Sequence, residues 1–258
     1  MKLLIPSLLA LFFVACGDLS TPLFKISSNS SRSSVKVVNS SDVIVGSMTD
    51  SRDGQTYKTV KIGTQVWMAQ NLNYKTADSY CYKDISSNCA KYGRLYTWAA
   101  AMDSAGIWSS NGKGCGYDRF CWSTYPVRGV CPSGYHLPET TEWKALFTAV
   151  GGQRIDSTEW LWFESTAGRV LKSTSGWYRD GDGTDAFSFS ALPAGGWSFD
   201  NIGYGDEGYD ARFWSSRSYG SKYAYYMVLH DISDNAYLNN HIHKSGRFSV
   251  NSFCLLPA

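Results

Sequence analysis

Three stretches of the chain carry the clearest hydrophobic patterning. Tyr57, Val60, Ile62, Val66 and Trp67 are β-forming residues broken by Asp53-Gly54 and Gly63-Thr64, which predicts two or three short strands joined by tight turns. Residues 94–105 hold Trp98-Ala99-Ala100-Ala101-Met102 with Gly106 behind them, a helix pattern with a glycine stop. Residues 138–150 predict a second helix: Pro138 at its start, Glu139 and Glu142 in its first turns, Trp143, Leu146, Phe147 and Val150 on one face, and Gly151-Gly152 as terminator. A shorter helix is expected over about residues 165–173. After Gly176, the Gly-punctuated aromatic segments 186–192, 212–216, 223–229 and 248–256 read as strands with long irregular loops between them. The expected class is α+β, with two or three helices, short antiparallel strands and no internal repeat.

The N-terminal region is patterned differently. Lys2 precedes a thirteen-residue apolar run, Leu3 to Ala15, which stops at Val14-Ala15-Cys16-Gly17-Asp18. Such a run is too short to span a bilayer as a mature helix. The layout resembles a bacterial lipoprotein signal, in which cleavage leaves Cys16 as the new N-terminus carrying acyl chains. Phe13 stands where a Leu is usual, so plain secretion after Ala15 is the alternative. Residues 20–47 then hold ten serines and no aromatic beyond Phe24, the composition of a flexible tether. The expected division is 1–15 signal peptide, 16–47 Ser-rich tether and 48–258 domain, with the domain proper starting near Met48. The expected location is the bacterial cell envelope, in the outer membrane or at the cell surface, with the lipid bilayer as a partner.

Charge excludes one function class. With 24 basic and 22 acidic side chains and no basic run, the chain has no field to hold nucleic acid. Ten Trp, 17 Tyr and 12 Phe in 258 residues fill a core readily. Seven cysteines suit an oxidising compartment, and with Cys16 lipidated six remain to pair. Six allow 15 pairings. Cys81 with Cys89 and Cys115 with Cys121 are separated by short turn-forming segments, which leaves Cys131 with Cys254.

The candidate chemistry is sparse. Asp180-Gly181-Asp182-Gly183-Thr184-Asp185 alternates carboxylates and glycines, so Asp180, Asp182 and Asp185 are a candidate calcium site, although the same residues make tight turns and lack the closing Glu of an EF-hand loop. Asp206, Glu207 and Asp210 form a second, weaker acidic loop. His241 and His243 share one face of a strand, a spacing that can begin a zinc site but reads better as solvated histidines. His230-Asp231 could seed a triad, but no Gly-x-Ser-x-Gly elbow accompanies it. Glu139 and Glu142 sit where negative charge favours a helix start. Most tryptophans are expected in the core. Trp177, Trp197 and Tyr204 adjoin glycine-rich loops and are the candidate ligand-binding rings.

A series of segments in fixed order carries a resemblance. It runs Ile62-Gly63-Thr64-Gln65-Val66-Trp67-Met68-Ala69-Gln70-Asn71-Leu72-Asn73-Tyr74, Tyr92-Gly93-Arg94-Leu95-Tyr96-Thr97-Trp98-Ala99-Ala100-Ala101, Gly129 to Pro138 with Glu142-Trp143, Gly183-Thr184-Asp185, Ser190-Ala191-Leu192-Pro193-Ala194-Gly195 and Phe213-Trp214-Ser215-Ser216. This order resembles the Fibrobacter succinogenes major paralogous domain over about residues 48–256. At its end the family reads roughly Ser-Val-Arg-Cys-Val, whereas this chain has Asn251-Ser252-Phe253-Cys254-Leu255, without the arginine. The resemblance implies a distant C-type lectin-like fold, shared with formylglycine-generating, sulfatase-modifying enzymes; fold alone does not imply either chemistry.

Two function classes follow. The leading expectation is a lipid-anchored, non-catalytic surface module for polysaccharide or another envelope component such as a protein, with no resident cofactor beyond the calcium alternative. The enzyme alternative, a formylglycine-generating oxidase, requires a reactive cysteine pair late in the chain, where only Cys254 lies. A purely structural envelope lipoprotein is the third reading.

Overall fold

A computed structural model describes residues 37–156, 161–164, 166–198 and 203–250. The first element group is a three-stranded antiparallel meander, β1 (Ile44–Thr49), β2 (Thr56–Ile62) and β3 (Gln65–Met68). Gly63 makes the β2–β3 turn at φ +61°, a backbone that a Cβ disfavours. β1 starts at Ile44, Val38 N donates to Ala149 O at 2.8 Å, and Val38 and Val43 pack against the core. Residues 38–47 therefore belong to the fold, and its start lies earlier than the Met48 expected. The valines flanking the serines find an unpaired edge on β2, which local composition cannot reveal.

The remaining elements follow in chain order: β4 (Ser79–Tyr80), α1 (Ser86–Tyr92), β5 (Leu95–Thr97), α2 (Trp98–Ala101), α3 (Thr140–Ala149), β6 (Gln153–Asp156), β7 (Leu161–Glu164), α4 (Ala167–Leu171), β8 (Ala194–Ser198), β9 (Gly203–Glu207), β10 (Asp210–Tyr219), β11 (Tyr223–His230), β12 (Ala236–His243) and β13 (Arg247–Ser249). The ten strands form one sheet in the order β4-β5-β13-β8-β10-β11-β12-β7-β6, with β9 hydrogen-bonded to β8 and β13 also touching β10. β10 runs parallel to β8 and β13, and the other pairings described are antiparallel. The α+β class holds.

The helix expected over residues 94–105 is mostly something else. Leu95 and Tyr96 pair with β13 as a strand, and only four residues then turn helical, with Thr97 Oγ1 accepting from Ala100 N at 3.2 Å as N-cap. Asp103, at φ +56°, ends the turn: its buried carboxylate accepts N–H bonds from Ile107, Trp108 and Ser109 at 2.7–2.9 Å. The alanine run is short because its partner strand claims the residues before it. α3 forms as the pattern required, with Glu139 and Glu142 in a reciprocal capping box and Trp143, Leu146 and Phe147 buried. Segment 186–192 is not a strand, since Asp185 Oδ1 accepts from Ser190 N at 2.7 Å and Ser188 and Ser190 take positive φ.

Two apolar clusters sit on the sheet. In one, Trp67 faces Trp143 at 5.3 Å and Phe189 at 6.1 Å between ring centres, joining β3, α3 and the loop before β8. In the other, Trp98 Nε1 donates to Ser215 O and Trp214 Nε1 to Tyr96 O, both at 2.8 Å, so each large ring is buried with its polar atom paired. The disulfides Cys81–Cys89 and Cys115–Cys121 form as expected. Cys131 is also disulfide-bonded, and Cys254, its expected partner, lies outside the described residues, as does Cys16.

Candidate functional site

The residues proposed from sequence do not converge. Trp177 is 6% exposed and part of the core, its Nε1 donating to Ser173 Oγ at 3.0 Å. Its ring lies 5.0 Å from Lys172 Nζ, a buried ammonium that donates to the carbonyls of His230 and Ser233 at 3.2 and 3.1 Å. Trp177 is thus a wall around a buried cation rather than a surface platform, because Lys172 needs an electron-rich cover where water is excluded. Burial holds the Lys172 ammonium below its ordinary pKa.

Trp197 and Tyr204 sit opposite one another on β8 and β9, on strands rather than loops. Both are half-buried. The Arg247 guanidinium lies 3.6 Å from the Tyr80 ring, 5.1 Å from Trp197 and 5.7 Å from Tyr204. Arg247 Nη1 donates to the Tyr204 hydroxyl at 2.9 Å, which donates to Asp84 Oδ1 at 3.0 Å. These rings already hold an internal cation.

The acidic loop is likewise engaged in its own turn. Asp182 Oδ1 accepts from Trp177 N at 3.0 Å, Asp185 caps Ser190, and Asp180 is exposed at φ +57°. Among the described residues, no three His, Cys, Asp or Glu side chains are grouped so as to hold a metal ion. His230 Nδ1 pairs with Asp210 Oδ1 at 2.7 Å rather than with its neighbour Asp231, and Arg212 bridges Asp206 and Asp210 at 2.7 Å each. Arg212 thus engages two carboxylates of the second acidic loop, and the third, Glu207, accepts from the Tyr92 hydroxyl at 3.0 Å and lies 3.7 Å from Lys91 Nζ.

What the fold does present is a ring surface that sequence reasoning passed over. The loop after Asp103 is closed by Cys115–Cys121 and carries Tyr117, Phe120, Trp122 and Tyr125. Trp122 is 91% exposed and Phe120 70%. Large apolar rings at such exposure are unusual on a folded surface, and adjacent ones more so. Several contacts nevertheless fix the loop. Lys244 Nζ donates to Arg119 O at 3.0 Å, Asn111 Nδ2 to Pro126 O at 2.8 Å, and Tyr117 stacks on His243 at 4.7 Å. The Tyr125 hydroxyl meets His136 Nε2 at 3.2 Å, whose same atom lies 2.9 Å from Glu142 Oε1. Burial and then Glu142 push the Tyr125 phenol well above its ordinary pKa, so it stays protonated as a donor.

Phe120 and Trp122 border a groove of about 320 Å³ whose other wall is Arg217, Ser218 and Gly220 at the end of β10. Arg217 also reaches Glu139 at 3.4 Å as an exposed pair. Beyond it, His241 and His243 on β12 are spaced among Tyr219, Tyr223 and Tyr117, with ring centres 4.7–6.4 Å apart. The two histidines are members of a ring strip. Flat faces beside a guanidinium and hydroxyls are suited to stacking on an apolar ligand face while bonding its polar edge. The signal available in the sequence was the spacing of Tyr117, Phe120 and Trp122 about Cys121, within six residues of Cys115.

Comparison with known proteins gives one match. The family model of the Fibrobacter succinogenes major domain covers residues 60–251. No curated protein and no solved structure matches. The matched span runs from within β2 through β13 and includes the exposed ring loop and most of both apolar clusters. On that coverage the chain belongs to the Fibrobacter succinogenes major domain family.

Proposed function

We propose that this chain is a lipid-anchored, non-catalytic surface module of the bacterial cell envelope that binds polysaccharide through the rings of residues 117–125, on a C-type lectin-like scaffold. The observation that carries the binding role is the exposure of Trp122 and Phe120 on a loop whose backbone is fixed by a disulfide and by Lys244. A preorganised loop loses little entropy on binding, so modest stacking contacts suffice. Many tethered copies on one membrane raise the effective concentration further. The lectin-like scaffold is supported by the motif series, the short helices and the stapled loops.

The anchoring proposal rests on the apolar run before Cys16. None of the described helices is long and apolar enough to cross a membrane. Intact mass spectrometry should find the mature chain beginning at an acylated Cys16, and Cys16→Ser should release it from the detergent phase. An unmodified chain would favour plain secretion. For the enzyme alternative, the cysteine it requires, Cys254, lies outside the described residues. Incubation with copper and a cysteine-containing sulfatase peptide should leave the thiol unchanged.

The binding test is a glycan array probed with the full chain, wild type and the Trp122→Ala/Phe120→Ala double variant. Retention on at least one polysaccharide should fall about tenfold in the variant. Equal retention by both, or none by wild type with capture of an envelope protein instead, would remove the polysaccharide reading.

A further inference from the structure

The groove beside Phe120 and Trp122 has Arg217 as its one charged lining side chain. Around it, residues 113–125 carry Lys113 and Arg119 against Asp118, and residues 217–224 carry Arg217 and Lys222 with no carboxylate. All five are exposed. Lys244 Nζ donates to both Arg119 O and Gly220 O at 3.0 Å, so the two segments adjoin. The chain as a whole is nearly balanced in charge, whereas this surface is locally cationic.

An irregularity in β10 puts Arg217 at the groove. Trp214 pairs with Tyr226 and Ser218 with Ala224, so Ser215, Ser216 and Arg217 stand opposite a single residue of β11. They bulge out of the ladder. Ser216 N and the hydroxyls of Ser215 and Ser216 all donate to Pro138 O at 2.9–3.3 Å, which pins the bulge to the start of α3. Such a bulge re-aims the side chains it carries, and the Arg217 side chain is 61% exposed at the groove wall.

The bond that Arg217 makes within the chain is of a kind a ligand can replace. Its Nη1 donates to Glu139 Oε1 at 3.4 Å, and a long, water-exposed ion pair contributes little. Glu139 does not depend on it, because Oε2 accepts from Thr141 Oγ1 at 2.7 Å and the side chain also accepts from the Glu142 N–H in the capping box. Arg217 can therefore turn to an incoming anion without stranding a buried charge. Its guanidinium offers paired N–H donors that fit two oxygens of a carboxylate or sulfate, beside ring faces that stack on the sugar carrying that group. A neutral sugar offers the cation only hydroxyl oxygens, which bond it more weakly.

Resting on the polysaccharide reading above, we propose that the polysaccharide is acidic, and that a carboxylate or sulfate on the sugar stacked at Phe120 and Trp122 pairs with Arg217. The test is retention of the full chain on immobilised polysaccharides that differ in charge: polygalacturonate against its methyl ester, and κ-carrageenan against neutral agarose. Retention on at least one acidic member should exceed that on its neutral counterpart about tenfold. Preference for polygalacturonate assigns the charge to a carboxylate, and preference for κ-carrageenan assigns it to a sulfate. Arg217→Gln should bring retention on the acidic member down to that on its counterpart, and Arg217→Lys should restore part of the difference. Lys61→Gln, the same loss of charge on β2 outside the groove, should keep the preference intact. The proposal fails if acidic and neutral members are retained alike, or if Lys61→Gln erases the preference as fully as Arg217→Gln, which is attraction by net charge alone. In either case, retention that still falls with Trp122→Ala leaves the ring surface standing as a polysaccharide site. Retention on no polysaccharide at all removes both readings.

Discussion

Lys244 sets its ammonium 4.6 Å from the centre of the Trp98 ring, fully buried, with the carbonyls of Arg119 and Gly220 accepting at 3.0 Å each. One side chain thereby fastens the ring-bearing loop to the β10–β11 turn. The ring face and two carbonyl dipoles stabilise the cation where water cannot, but incompletely.

A pH dependence follows from that burial. Desolvation lowers the Lys244 pKa from 10.5 to about 8. The unfolded chain holds this proton up to its ordinary pKa while the folded chain releases it earlier, so U binds more protons across the interval. Stability from this group therefore rises from about pH 8 to about 10.5 and is flat below, by an amount on the order of 3 kcal/mol. Urea midpoints across that range should rise relative to Lys244→Met, which loses a constant amount from the stranded carbonyls and lacks this slope. Parallel curves for the two proteins would contradict the assigned burial.

Trp177 and Trp122 should respond oppositely to truncation. Trp177→Ala opens a core cavity and uncovers Lys172, so a loss of about 3–5 kcal/mol is expected with polysaccharide retention per folded molecule unchanged. Trp122→Ala should shift stability by no more than about 0.5 kcal/mol while reducing retention. Chemical denaturation beside the array measurement separates the two.

The contrast shows what was legible in the sequence and what was not. α3 was readable because its cap, its apolar face and its glycine stop are all local. The meander was readable from β-formers between turns. The β8–β9 hairpin was hidden by Gly195, Gly196, Gly203 and Gly205, which argue against strand locally. Its glycines answer to distant atoms: a Cβ on Gly196 would meet the Phe248 ring at 2.5 Å. The ring surface was hidden for the same reason, since exposure is a property of assembled neighbours.

Asp103 is the next test of the loop. Its carboxylate gathers three successive backbone N–H groups from a loop with little regular structure. Asp103→Ala strands all three and places a Cβ-bearing non-polar residue at φ +56°, for an expected cost of about 2–4 kcal/mol. Asp103→Asn tolerates that φ and keeps one acceptor oxygen, and should cost about half as much. Amide exchange at Ile107, Trp108 and Ser109 should accelerate in both, most in the alanine variant. Protection that persists would mean the loop is held by its other contacts alone.

Removing the Cys115–Cys121 staple separates loop order from global stability. On the chain-entropy model so short a loop contributes only about 2 kcal/mol, and Lys244, Tyr117 and Asn111 still hold its ends. The Cys115→Ser/Cys121→Ser variant should therefore fold, with a urea midpoint lowered by that modest amount. Between the two cysteines lies the Tyr117–Phe120 segment, and Trp122 follows directly. Freed of the staple, Phe120 and Trp122 must be ordered at the moment of binding, so polysaccharide retention should fall about tenfold, mainly through faster dissociation. If retention is unaffected while the midpoint falls, the staple serves the fold alone and the rings bind without preorganisation.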